Sequence, residues 1–92
     1  MPVEVRIPTM LRSHVGGAAI VAVEGTTVRE IVDNLVTASP TLVGQIVTAD
    51  GTLHKFVNVY VNDDDIRYLD KLDTKVGESD TVSILPAVAG GS

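Results

Sequence analysis

The 92 residues carry seven Lys and Arg against twelve Asp and Glu, a net charge of −5, and no Cys. A chain of this length builds one core, burying roughly 60–65% of its unfolded surface, which excludes a two-domain enzyme. Without Cys there is neither a disulfide framework nor a thiolate nucleophile, and the acidic balance argues against nucleic acid and anionic membranes and in favour of partners with basic docking surfaces.

Met1-Pro2-Val3-Glu4 opens directly into strand-like alternation with no basic, apolar leader, and the longest apolar run is far short of a membrane span. A cytoplasmic protein is the expectation. Val3, Val5 and Ile7 alternate with Glu4 and Arg6, predicting a first strand over residues 2–8 that ends at Pro8. Residues 9–17 read as a connection closed by Gly16-Gly17, and 18–23 as a second strand completing a hairpin. Thr27-Val28-Arg29-Glu30 has the Ser/Thr-x-x-Glu spacing of a helix start. Val28, Ile31, Val32, Leu35 and Val36 then recur at helical spacing until Ser39-Pro40. Residues 40–48 suggest a short second helix, with Pro40 near its first position.

Asp50-Gly51 signals a turn, after which Val57, Val59 and Val61 form the expected core face of a central strand. Asn62-Asp63-Asp64-Asp65 reads as a solvated turn leading to a return strand at Ile66-Arg67-Tyr68; it lacks the ligand loop and closing Glu of a calcium site. Gly77-Glu78-Ser79-Asp80 turns the chain again into a final strand, Thr81-Val82-Ser83-Ile84-Leu85, ended by Pro86. The order β-β-α-(short helix)-β-β-β is that of a β-grasp domain, an α+β fold with one helix over one face of a mixed sheet. First and last strands side by side in parallel would root the end of the chain, Ala87-Val88-Ala89-Gly90-Gly91-Ser92, in the middle of the sheet. The expected organisation is a domain over 1–86 and a flexible tail over 87–92.

That tail is the most informative segment. A di-glycine lies extended in a narrow channel with no side chain in the way, so the carboxyl end itself is the candidate reactive group. The opening Arg6-Ile7-Pro8-Thr9-Met10-Leu11-Arg12, the segment Leu53-His54-Lys55-Phe56-Val57-Asn58-Val59-Tyr60-Val61-Asn62-Asp63 and the close Ile84-Leu85-Pro86-Ala87-Val88-Ala89-Gly90-Gly91 together resemble the ThiS/MoaD group of ubiquitin-like sulfur carriers. Within it they are most similar to the CysO branch, which serves cysteine synthesis in actinobacteria.

The resemblance implies a protein co-substrate and no catalyst. A ubiquitin-activating-type adenylating and sulfurylating enzyme, using ATP, would join AMP to the Gly91 carboxyl, and sulfide transfer would give a thiocarboxylate there. The acceptor would be an activated serine derivative on a pyridoxal-phosphate-dependent synthase, and a zinc metalloprotease would release the product. No bound cofactor or metal is implied in the chain itself. Ser92 departs from the pattern, since no thiocarboxylate forms on Gly91 while it is attached. It is an extension trimmed by a metalloprotease, a cloning remnant, or the mark of a variant that is no carrier.

Ala87, Val88, Ala89 and Gly90 would then thread the partner's channel, with Pro86 directing the tail or simply ending the strand. Phe56 and Tyr60 fall on the outer sheet face if the Val set points inward, either as a docking patch or as edge packing. Ile7 and Leu85 read as core. His14 and His54 lack the spacing of metal ligands, and Gly16-Gly17 lacks the following helix of a phosphate loop. Two other classes compete with the carrier: a ubiquitin-like modifier joined through Gly91 to lysine amines, and a noncatalytic interaction domain whose tail is incidental.

Overall fold

The computed structural model describes residues 2–50, 52–55 and 57–86. Strand β1 (Pro2–Arg6) places Val3 and Val5 in the core and Glu4 and Arg6 outside, the alternation its period-2 sequence dictates. It stops two residues before the expected end because Pro8, extended at φ −66°, turns the chain into a 3-10 helix over Thr9–Val15. This stretch was expected to be a plain connection. Leu11 is the reason it is ordered, since burying that side chain anchors the turn, and the Arg12 Nε–H donates to the Ile7 carbonyl at 3.0 Å. Gly16 and Gly17, at φ 70° and 85°, reverse the chain into β2 (Ile20–Glu24), which pairs antiparallel with β1 from Pro2↔Glu24 to Arg6↔Ile20.

Helix α1 (Val28–Ala38) starts at the expected cap: the Thr27 hydroxyl accepts from the Glu30 amide at 3.2 Å. The returning carboxylate reaches one residue further back than a simple capping box, accepting from the Thr26 N–H at 2.7 Å and the Thr26 hydroxyl at 2.9 Å. Those two bonds, the amide first, hold the Glu30 carboxyl below its ordinary value of 4.5. Val28, Ile31, Val32 and Leu35 are buried against the sheet, and Val36 packs at the margin. Gly25 makes the close approach that seats this helix. A Cβ there would stand 2.9 Å from Ile31 Cδ1 and 3.1 Å from the Ile31 amide nitrogen. Gly25→Ala is therefore expected to cost about 1–3 kcal/mol through overpacking, read as a lower denaturation midpoint with an unchanged denaturant slope.

The second helix expected over 40–48 is absent: only Pro40–Leu42 form a 3-10 turn. Val43 is extended, Gly44 bends at φ 91°, and the Gly44 amide donates to the Val47 carbonyl at 2.7 Å. Burial of Leu42, Ile46 and Val47 fixes this irregular stretch, as tertiary packing overrides weak helix propensity. Of the Asp50-Gly51 turn, Gly51 lies outside the described residues.

Strand β3 (Val57–Val61) buries Val59 and Val61 and leaves Val57 half-buried. The return strand comes earlier than expected, as the two-residue β4 (Asp64–Asp65), and Ile66–Tyr68 form a 3-10 turn. Asp65 also corrects the reading of 62–65 as wholly solvated: its side chain is only 7% exposed. It caps that turn by accepting from the Arg67 amide at 2.9 Å, and from Arg67 Nη2 at 2.8 Å.

The guanidinium, and then the amide, hold the Asp65 carboxyl below its ordinary 3.8. A depressed folded-state pKa contributes stability above the unfolded value that is lost as pH falls through the folded one. Denaturation midpoints should accordingly decline below about pH 4, and Asp65→Asn should be weaker at pH 7 and flatter over that acid window. Equal slopes for the two proteins would remove Asp65 from the account.

Strand β5 (Thr81–Pro86) closes a five-stranded mixed sheet of order β2-β1-β5-β3-β4, with α1 on one face. This is the β-grasp fold. Val3, Val5, Val59, Val82 and Ile84 form the sheet's share of the core, and Ile7 is buried at its edge as expected. Leu85 is not. Because Val82 and Ile84 point inward, Leu85 faces out and is 45% exposed.

Candidate functional site

The candidate site begins where β5 ends. On one side β5 runs parallel to β1, in register Glu4↔Thr81, Val5↔Val82 and Arg6↔Ser83; on the other it runs antiparallel to β3, from Val61↔Val82 to Val57↔Pro86. The strand that leads into the tail is thus clamped on both edges, with Val82 and Ile84 sunk in the core. Pro86 still belongs to the strand, opposite Val57, and brings no N–H to the ladder. Ala87, Val88, Ala89, Gly90, Gly91 and Ser92 lie outside the described residues, as does Phe56.

Around this root the register assembles one end of the molecule. Arg6 lies beside Ser83 on the outer face, and a groove of about 460 Å³ runs between Arg6, Pro8, Arg12 and Leu85. Tyr60 pairs with Ser83 from the other side and is half-buried; Leu85 pairs with Asn58. The outer face near the end of β5 therefore carries Tyr60 and Leu85, with Ile20, 48% exposed, on β2 beyond Arg6.

Charge is sorted along the strands. Asp63 and Asp64 at the start of β4 and Glu78 and Asp80 just before β5 share one end of the sheet with Glu4 and Glu24 of the hairpin. Arg6, Arg12 and Lys55 lie at the opposite end, where the tail departs. The strands separate these poles by roughly 15–20 Å. A net charge of −5 suggested a basic docking surface for any partner; beside the end of β5, however, Arg6 and Arg12 set two guanidinium groups, whose chemistry suits carboxylates.

Sequence reasoning rooted the tail at Leu85 but missed Arg6 and Arg12 beside that root. The parallel pairing of the two terminal strands was expected, but the signal lies in its register, which sets residue 6 beside residue 83. His14 bonds through Nδ1 to the Thr41 hydroxyl at 2.8 Å, while His54 lines a different cleft. Among the described residues no group of three or more His, Asp or Glu is placed to hold a metal, and no helix is long and apolar enough to cross a membrane.

Residues 5–91 match the ThiS family. The chain belongs to that family. Among ThiS-related proteins it is 42% identical over 93 residues to the sulfur carrier protein CysO of Mycobacterium tuberculosis, an alignment covering 99% of this chain and 100% of the relative. It superposes with TM-score 0.85 and 46% identity on a chain of the Amycolatopsis orientalis BexX/CysO complex, over 97% of this chain and 99% of that one. It is also 31% identical to small archaeal modifier protein 3 of Haloferax volcanii, over 99% of this chain and 100% of the modifier. The relatives are described as carriers and modifiers, and this family member is a protein acted upon and no catalyst.

Proposed function

We propose that the chain is a cytoplasmic sulfur carrier whose working group is the acyl carbon of Gly91, with residues 1–86 as the handle and 87–92 as the tail. A free carboxylate resists nucleophilic attack. A ubiquitin-activating-type partner would join it to the α-phosphate of ATP with loss of pyrophosphate, and a sulfide equivalent would displace AMP to leave the thiocarboxylate. The sulfur would then replace the activating group of a serine derivative held by a pyridoxal-phosphate-dependent synthase, and an acyl shift from that sulfur to the amine would free the thiol and link cysteine through an amide to Gly91. Hydrolysis by a zinc metalloprotease would free the cysteine and restore the carboxylate. Each step requires the Gly91 carboxyl to be terminal, so Ser92 must be removed first wherever it is present.

The observation that carries this reading is the placement of β5. A strand clamped between β1 and β3 ends four residues before Gly90-Gly91 in the sequence, so the body can be gripped while the end is handled by another protein. The likeness to a protein called a sulfur carrier over its whole length supports it. Ala87 to Gly90 would thread the partner's channel, while Pro86, Phe56 and Tyr60 would contact its mouth. A second reading, a modifier joined through Gly91 to lysine amines, draws on the 31% identity to the Haloferax modifier, lower than the 42% to the carrier.

The two readings share adenylation and divide at the acceptor. The chain ending at Gly91, incubated with its adenylating partner, ATP and a sulfur source, is expected to gain the mass difference between sulfur and oxygen. Stable lysine adducts without that gain would establish the modifier instead.

A further inference from the structure

The end of β5 limits where a partner that handles Gly91 can stand. From Pro86, the last residue of the strand, five residues lead to Gly91. Five residues span at most about 18 Å. A protein acting on the Gly91 carboxyl therefore comes close to the rim of the sheet where β5 stops. That rim is the groove of about 460 Å³ between the turn after β1 and the last residues of β5.

The walls of this groove are apolar and its charge has one sign. Leu85, 45% exposed, forms one wall, and half-buried Pro8 lies on the other. Among the described residues, Arg6 and Arg12 are the only charged groups that line it. Arg6 is exposed, and no ion pair or side-chain hydrogen bond among the described residues engages it. Arg12 uses only its Nε, which donates to the Ile7 carbonyl at 3.0 Å. That bond steadies the side chain along the groove and leaves the two terminal nitrogens for a ligand. Glu4, the nearest carboxylate along the same face of β1, stands two residues further from the groove, about 7 Å away. Two guanidinium groups without a carboxylate, beside an exposed Leu, match a surface of opposite charge with an apolar contact at its centre.

We propose that this groove seats the activating partner. A projection of that enzyme carrying a carboxylate next to an apolar side chain enters it, the carboxylate held between Arg6 and Arg12 and the apolar group resting on Pro8 and Leu85. The inference rests on the reading of Gly91 as the group that is adenylated. It adds recognition outside the tail: the body is gripped at Arg6 and Arg12, which take no part in the chemistry.

The test measures pyrophosphate release by the adenylating enzyme of the protein's own host, with the chain ending at Gly91 as substrate and the chain lacking residues 90–92 as competitor. Arg6→Gln is expected to raise KM about five-fold, the range one exposed ion pair supplies, and to leave kcat within about two-fold. Arg6→Lys keeps the charge and should stay within about two-fold of the parent in both. Arg12→Gln should raise KM as well. The two Gln changes together should fall short of the product of their single effects, because both guanidinium groups meet one carboxylate. The shortened chain should inhibit competitively, and Arg6→Gln placed in it should weaken that inhibition about five-fold. Arg6 is exposed and unpaired, so its variants should keep the parent's denaturation midpoint. Turnover of the parent with KM unmoved by Arg6→Gln, a loss confined to kcat, or no inhibition by the shortened chain would overturn the docking seat and leave the reading of Gly91 standing. No turnover of the parent would overturn that reading, and the seat with it.

Discussion

Deleting residues 90–92 is expected to abolish thiocarboxylate formation, by at least about 100-fold or ~2.7 kcal/mol of activation free energy, while unfolding stays within about 0.5 kcal/mol of the parent. The two effects separate because the described pairing of β5, as far as Val57↔Pro86, lies wholly outside the deleted residues. The buried set of Val3, Val5, Val59, Val82 and Ile84 is left intact by the deletion. Gly90→Ala should fall between, slowing adenylation about 10-fold or more: one methyl group narrows the fit in a channel and restricts the backbone on both sides. The checks are adenylate-dependent pyrophosphate release and the mass of the product. Normal rates for Gly90→Ala would remove the narrow channel from the account.

Ile84→Ala is expected to do the reverse. Ile84 is 1% exposed in the middle of β5, flanked by β1 and paired with Val59. Its truncation should destabilise the fold by about 2–4 kcal/mol through lost burial and the cavity left behind. For a domain whose whole stability is about 5–14 kcal/mol, that is a large share. A denaturant titration would report a lower midpoint. Activity measured well below the transition should fall only by the fraction unfolded, because the tail sequence is untouched. A full loss of activity in a still-folded Ile84→Ala protein would mean that the β5 clamp positions the tail more tightly than a handle requires.

Much of this architecture was legible in the sequence because local chemistry and global packing agree. The Thr27–Glu30 spacing, the Val28, Ile31, Val32, Leu35 stripe and the alternation in β1, β3 and β5 each encode one element, and the order of elements encodes the fold. The failures have separate causes. The 3-10 helix at Thr9–Val15 and the irregular stretch after Leu42 are held by single buried anchors, Leu11, Ile46 and Val47, which periodicity does not register. The early return at Asp64–Asp65 depends on a carboxylate that caps the next turn and binds Arg67. Leu85 is apolar yet faces out because strand phase outranks hydrophobicity: once Val82 and Ile84 point inward, Leu85 cannot.

The candidate site was legible in its chemistry and not in its surroundings. Gly90-Gly91 stands out in the sequence, whereas the basic collar of Arg6 and Arg12 exists only because parallel pairing brings the two ends of the chain to one pole. Net charge alone pointed to the opposite partner surface.

The most direct test of the central claim is the mass of the intact carboxyl-terminal peptide isolated from cells of the protein's own host. Peptide ending at Gly91, part of it with sulfur in place of one carboxyl oxygen, is the predicted result. Peptide that always retains Ser92, with no shortened or sulfur-bearing form, would contradict it.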